Sequence, residues 1–197
     1  LTPDYWEKAK KYLSKNDKVM AGIIKSYKGE SLKKVTDDIF YTLSRAIIGQ
    51  QISVKAADAI WKRFEKISKA SPQKTLRLSD EKLREIGFSG QKVKYVKSVA
   101  EFCISHDGKW HDDDEEVIKH LTSIKGVGRW TAEMFLIFYL QRPDIFPLAD
   151  IGLLKAIEKH YGTPRDKAHQ HGANWAPYRS VATWYLWRSL DPVPVEY

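Results

Sequence analysis

The sequence predicts an all-α protein. Apolar residues recur at helical spacing in one segment after another, and no stretch alternates apolar and polar residues for long enough to make a strand. Ser, Thr or Asp stands before many of these segments, and glycine follows several of them, as helix starts and stops require. A chain of 197 residues, 43% of them hydrophobic, can bury a core as one globular unit of one or two lobes.

Thr2-Pro3-Asp4 reads as a helix start, with Thr2 as the cap and Pro3 at the first helical position. A basic amphipathic helix follows to about Ser14, and the lysines at 8, 10, 11, 15 and 18 read as a solvated face. A short helix covers Asp17 to Ser26. Thr36-Asp37-Asp38 opens a helix with Ile39, Phe40, Leu43, Ala46 and Ile47 at helical spacing, ending at Gly49. Gln50-Gln51-Ile52-Ser53 is a polar turn before a helix from Val54 to Ile67. Leu76 to Ile86 holds one or two short helices, capped at Ser79-Asp80 and stopped at Gly87. Phe88-Ser89-Gly90 is a loop, and Gln91 to Ser105 is a helix. The acidic run His111 to Glu116 marks the start of a helix from Asp113 to Leu121, where carboxylates offset the dipole. That run lacks metal-ligand spacing. Arg129 to Leu140 is apolar and helical. Asp150 opens a helix from Ile151 to Tyr161, stopped by Gly162. Residues 164–172 are irregular or helical, and a last helix runs from about Pro177 to Arg188.

The net charge is +8, from 33 Lys and Arg against 25 Asp and Glu. A basic surface fits a polyanionic partner, and it equally fits ordinary solubility charge. Cys103 is the only cysteine. It excludes a disulfide within the chain, a multi-cysteine zinc site and a four-cysteine iron–sulfur cluster. No apolar run is long enough to cross a membrane. The expectation is a soluble intracellular monomer, working in the cytoplasm or nucleoid if bacterial or archaeal and in the nucleus if eukaryotic.

Chemistry concentrates between Leu121 and Asp150. Ile124-Lys125-Gly126-Val127-Gly128 is a glycine hairpin between two helices. Its glycines let another backbone come close. The helix from Arg129 aims free amides and a positive dipole end over the hairpin, which makes an anion site suited to one phosphodiester. A plain helix–helix turn is the other reading of the same glycines. Downstream, after a loop with Pro143 and Pro147, Asp150 stands alone at a helix start. It reads as an N-cap and also as a rigidly held catalytic carboxylate, and the two are compatible.

Three stretches together resemble the helix-hairpin-helix (HhH-GPD) superfamily of base-excision DNA glycosylases, and within it the 3-methyladenine branch. They are Ile47-Ile48-Gly49-Gln50-Gln51-Ile52-Ser53, the hairpin through Asp150, and Trp175-Ala176-Pro177-Tyr178-Arg179-Ser180 through Trp187. The resemblance implies a two-lobed helical fold with a cleft between the lobes. One lobe would be residues 37–148, carrying the hairpin at 122–130. The other would join residues 1–36 to 149–197.

It also implies roles. Asp150 would be the catalytic residue. Gln50, Gln51, Lys125, Gly126, Val127, Gly128 and Arg129 would bind DNA, with Gln51 filling the gap left by an extruded base. The branch carries an apolar residue at that position, so Gln51 departs from it; helix capping is the other reading of the two amides. Trp130, Trp187, Met134 and Trp184 would line the base pocket, with Met134 standing where the branch has a tyrosine. Main-chain carbonyls of Thr122, Ile124 and Val127 would hold a monovalent cation, Na⁺ or K⁺; no other cofactor is implied. Bifunctional members use a lysine where this chain has Trp130, so the resemblance implies a monofunctional enzyme that excises alkylated purines from double-stranded DNA. A glycosylase for deaminated or mismatched bases, and a non-catalytic protein that reads DNA distortion, are the rival readings.

Overall fold

Capping chemistry sets most helix starts in the computed structural model, which describes residues 1–191. Helices α1 (Trp6–Asn16) and α2 (Lys18–Ser26) are followed by α3 (Ile39–Gly49) and α4 (Val54–Ser68). Next come the short helices α5 (Pro72–Arg77) and α6 (Asp80–Glu85), then α7 (Gly90–Ser105), α8 (Asp114–Thr122) and α9 (Arg129–Phe138). After α10 (Ile151–Tyr161), a 3₁₀ turn at Arg165–His171 leads into α11 (Gly172–Trp175) and α12 (Arg179–Arg188). The side chains of Asp17, Asp38, Ser53, Ser71, Ser79, Ser89, Asp113 and Asp150 each accept an amide hydrogen bond from the first turn of the helix they precede. No strand occurs among the described residues, in agreement with the sequence reading.

Two expected helix starts move. Thr2 does not cap α1: its hydroxyl pairs with Ser31 Oγ at 2.8 Å, and a turn closed by Trp6 N–H to the Pro3 carbonyl delays the helix to Trp6. The last helix begins at Arg179 rather than Pro177, because Tyr178 N–H closes a turn on the Trp175 carbonyl at 2.7 Å.

The chain forms two compact units. One is Thr36–Phe135. There α7 packs against α3, α5 and α6, around Phe40, Phe64, Phe88, Val93 and Val96. The Phe64 ring lies 6.3 Å from Phe40 and 5.4 Å from Phe88, centroid to centroid.

Among the described residues, the other unit joins Leu1–Val35 to residues 136–191. Its core is built on indoles. Trp6 meets Trp184 edge-on at 5.4 Å, and Asp17 Oδ2 accepts both Tyr161 OH and Trp175 Nε1–H, at 2.9 and 2.8 Å. Arg188 holds Glu30 through Nε and Nη2. Residues 136–148 go with this unit. The loop after α9 is tied to this unit: the Gln141 carbonyl takes the Tyr5 hydroxyl at 2.7 Å, and its side-chain amide reaches the Leu1 carbonyl at 3.0 Å.

Candidate active site and nucleic-acid interface

In the unit Thr36–Phe135, the hairpin closes through Val127 N–H to the Ile124 carbonyl at 3.0 Å. Gly126 sits at φ +94, in the left-handed region, and a Cβ there would overlap the Tyr95 ring. Glycine is therefore required twice, by dihedral and by space. Ile124 and Val127 are buried and anchor the hairpin, while Lys125 and Gly128 are exposed. The Gly128 carbonyl accepts Ala132 N–H at 3.0 Å, so α9 begins directly on the hairpin.

The α3–α4 turn lies beside it. Gln50 Nε2 donates to the Gly126 carbonyl at 3.2 Å. Gln51 is exposed and takes φ +60, unusual for a residue other than glycine. Neither amide caps a helix start; Ser53 caps α4 instead. A depression of about 470 Å³ is lined by these elements, among them Gln50, Gln51, Tyr95, Gly126, Gly128 and Trp130. Its walls are mostly polar side chains and main-chain groups, the chemistry that suits a phosphodiester backbone.

Arg129 lies among carboxylates. Its guanidinium makes a bidentate pair with Glu115 at 2.9 and 2.5 Å and reaches Glu133 at 3.1 Å. Two carboxylates offset its charge. The same contact holds the Glu115 carboxyl below the usual range. Lys125 is the exposed cation of the hairpin itself.

In the other unit, Asp150 caps α10. Its Oδ1 accepts Leu153 N–H at 2.6 Å and Trp187 Nε1–H at 2.7 Å. Trp187 stacks on Phe138 at 5.8 Å and 12°. Gly152 makes room for this arrangement, since a Cβ there would lie 3.1 Å from Asp150 Oδ1 and 3.4 Å from the Trp187 ring. The loop ahead of Asp150 is clamped from α12. Arg179 binds both carboxylate oxygens of Asp144 at 2.8 and 2.7 Å, Ser180 Oγ accepts Ile145 N–H at 2.8 Å, and Ser180 N–H donates to the Pro143 carbonyl at 3.0 Å. The carboxylate is thus fixed by its own helix, by an indole and by a braced loop.

Of the aromatic pocket candidates, Trp130 is half-buried and lines the depression. Trp187 is 6% exposed and touches Asp150. Trp184 and Met134 are core residues: Trp184 is 1% exposed against Trp6, and Met134 is 3% exposed. Helical spacing alone does not separate the face of α12 that carries Trp184 from the one that carries Trp187, because every residue from Ser180 to Trp187 is buried. Four supporting residues escape the sequence reading: Tyr95, Gly152, Arg179 and Lys92. Only Arg179 had a signal, since it lies in a stretch that carries the family resemblance.

Residues 44–176 match the family described as HhH-GPD superfamily base excision DNA repair protein. Over 191 residues the chain is 34% identical to DNA-3-methyladenine glycosylase 1 of Schizosaccharomyces pombe, covering 90% of this chain and 83% of that one. Its structure resembles a DNA-3-methyladenine glycosidase from Bacillus halodurans, with TM-score 0.81, 35% identity, and coverage of 92% and 88%. It resembles S. pombe 3-methyladenine DNA glycosylase (Mag1), solved in complex with abasic DNA, with TM-score 0.80, 32% identity, and coverage of 92% and 96%. The chain belongs to the HhH-GPD superfamily of base excision DNA repair proteins.

Proposed function

We propose that this protein is a monofunctional DNA glycosylase that releases alkylated purines of the 3-methyladenine type from duplex DNA. The observation that carries the reading is Asp150: a carboxylate fixed by two donors at a helix start, in a chain whose relatives are 3-methyladenine glycosylases.

The chemistry follows from charge. Cleaving an N-glycosidic bond develops positive charge on the sugar. A preorganised anion stabilises that charge without reorganising during the reaction. Asp150 also orients or deprotonates the attacking water. An alkylated purine is already cationic and leaves readily, so no strong acid is needed at the base. Such a ring favours the electron-rich face of an indole once flipped out of the stack, and Trp187 stands beside Asp150. Lys125 and the amides of Gly126 to Gly128 hold the backbone through a phosphate, and Gln50 and Gln51 face the duplex.

Trp130 occupies the position of the bifunctional members' lysine. An indole forms no Schiff base, so the product is an intact strand with an abasic site. The carbonyls of Thr122, Ile124 and Val127 are neutral oxygens on one tight hairpin, a donor set that fits Na⁺ or K⁺; they would hold the ion, and it would supply positive charge for DNA binding. The protein works as a monomer wherever the cell keeps its DNA.

The test is base release from duplex DNA treated with a methylating agent, comparing wild type with Asp150→Asn. Chromatography identifies the freed base, gels look for nicks before alkali, and borohydride looks for a trapped covalent complex. Free methylpurine from wild type alone, without nicks or trapping, is expected. No release above the spontaneous background would overturn the alkylpurine reading. Nicks or a trapped complex would overturn the monofunctional one.

A further inference from the structure

Lys92 stands in the first turn of α7, where a cation works against that helix's own dipole. Burial also lowers the pKa of its ammonium. Both costs are offset by its reach. Nζ donates to the Ile48 carbonyl at 2.6 Å and to the Gln50 carbonyl at 2.8 Å. These carbonyls lie at the C-terminal, negative end of α3, whose last acceptors have no partner within the helix. Lys92 therefore caps α3 from a different helix.

The turn so capped is under tension. Gln51 holds φ +60, a region that costs a non-glycine residue energy and persists only when its surroundings enforce it. Just ahead of it, Lys92 grips the carbonyls of Ile48 and Gln50, and the Gln50 side chain reaches the hairpin at Gly126. What remains outside is the tip, with Gln51 exposed and Ile52 37% exposed. An exposed amide and an exposed aliphatic group on a braced tip, beside an anion-binding hairpin, are suited to enter a base stack.

We infer that Lys92 is the positioning residue that latches the 48–52 turn to α7 and holds Gln51 ready to replace an extruded base. The latch rests on the DNA-glycosylase reading for its purpose. It touches no reacting atom, and its loss acts only where a stacked base must be displaced.

The experiment uses the full chain and a duplex with an abasic-site analogue opposite 2-aminopurine. Saturating wild type should change the 2-aminopurine emission as the tip enters the stack. Lys92→Met should lose most of that change at saturation, while its melting temperature stays within a few degrees; Lys92→Arg should restore a large part. Base release is then measured for one methylated purine in a normal pair and opposite a gap. Lys92→Met should slow the paired substrate about tenfold, the scale of losing charge-assisted hydrogen bonds, and leave the gapped one within about twofold. Equal slowing on both would mean a general structural role and would overturn the latch. So would wild-type emission that does not respond. A wild type that changes the emission yet frees no base would overturn the glycosylase reading and leave the latch standing. If Lys92→Met does not fold, Lys92→Gln takes its place, and equal slowing on the paired and gapped substrates then overturns the proposal.

Discussion

Trp187 donates its indole N–H to Asp150 at 2.7 Å, on the same carboxylate oxygen that caps α10. The proposed catalytic group and a proposed pocket wall are therefore one hydrogen-bonded unit. Trp187→Phe keeps a ring to stack on Phe138 and removes the donor. Loss of a hydrogen bond to a charged group costs roughly 1.5–3 kcal/mol, so single-turnover base release should fall at least about tenfold. Asp150→Asn should fall further, on the order of 10²–10³-fold, the scale seen when preorganised electrostatic groups are removed. The double variant should be little worse than Asp150→Asn alone, because the two residues act together. Additive losses in rapid-quench assays would refute that coupling.

Gly126 carries a second prediction. Its φ of +94 and its contact with the Tyr95 ring leave no place for a methyl group. Gly126→Ala should destabilise the protein by about 1–3 kcal/mol from backbone strain alone, with overlap adding to it. Urea melts of Gly126→Ala with and without Tyr95→Ala separate the terms. The substitution should cost less in the Tyr95→Ala background, and an equal cost would remove Tyr95 from the explanation.

Much of this was legible because it is local. Caps such as Asp38, Ser79 and Asp150 declare themselves by residue type and position, and α3, α4, α7, α8 and α10 begin within a residue or two of the expected start. The hairpin was legible because only glycine serves at Gly126. What was not legible is long-range. Thr2 has the chemistry of a cap, yet it is taken by Ser31, which adjacency in sequence does not reveal. Arg129 looks like a phosphate ligand beside the hairpin, and only the fold brings Glu115 to it. Lys92 is one lysine among many until α7 sets it against the end of α3. Trp184 and Trp187 share a helix and differ in role through their neighbours, Trp6 for one and Asp150 for the other.

The division of labour between Lys125 and Arg129 predicts a salt dependence. Lys125 is exposed at the hairpin, whereas the Arg129 charge is offset by two carboxylates. Each phosphate neutralised contributes about 0.9 to the slope of log K against log salt on duplex DNA. Lys125→Ala should lower the magnitude of that slope by about 1 and weaken binding uniformly across sequences. Fluorescence anisotropy across a salt series measures it; an unchanged slope would place Lys125 away from the phosphates.

The last prediction concerns pH. In the unit Thr36–Phe135, His106 stacks on Phe102 at 4.9 Å, lies 4.3 Å from Trp110 and faces His120 at 5.7 Å. Its Nε2 is buried without a hydrogen-bond partner among the described residues. Burial lowers its pKa from the ordinary 6.5, and the neighbouring charge of His120 lowers it further, against a smaller opposite pull from Asp107. His160 and His171 are shifted the same way, chiefly by burial. A histidine held neutral in the fold is more easily protonated in the unfolded chain. Below about pH 6.5 the unfolded state therefore binds more protons, and stability falls as pH drops through that value. Above it, these groups contribute no further slope. Denaturant midpoints should be flat between about pH 7 and 8 and decline from pH 6.5 downward. His106→Gln removes one of the three contributions, so its decline should be shallower than that of wild type. An equal slope would show that His106 gains its proton as easily folded as unfolded, which its buried nitrogen and facing histidine oppose.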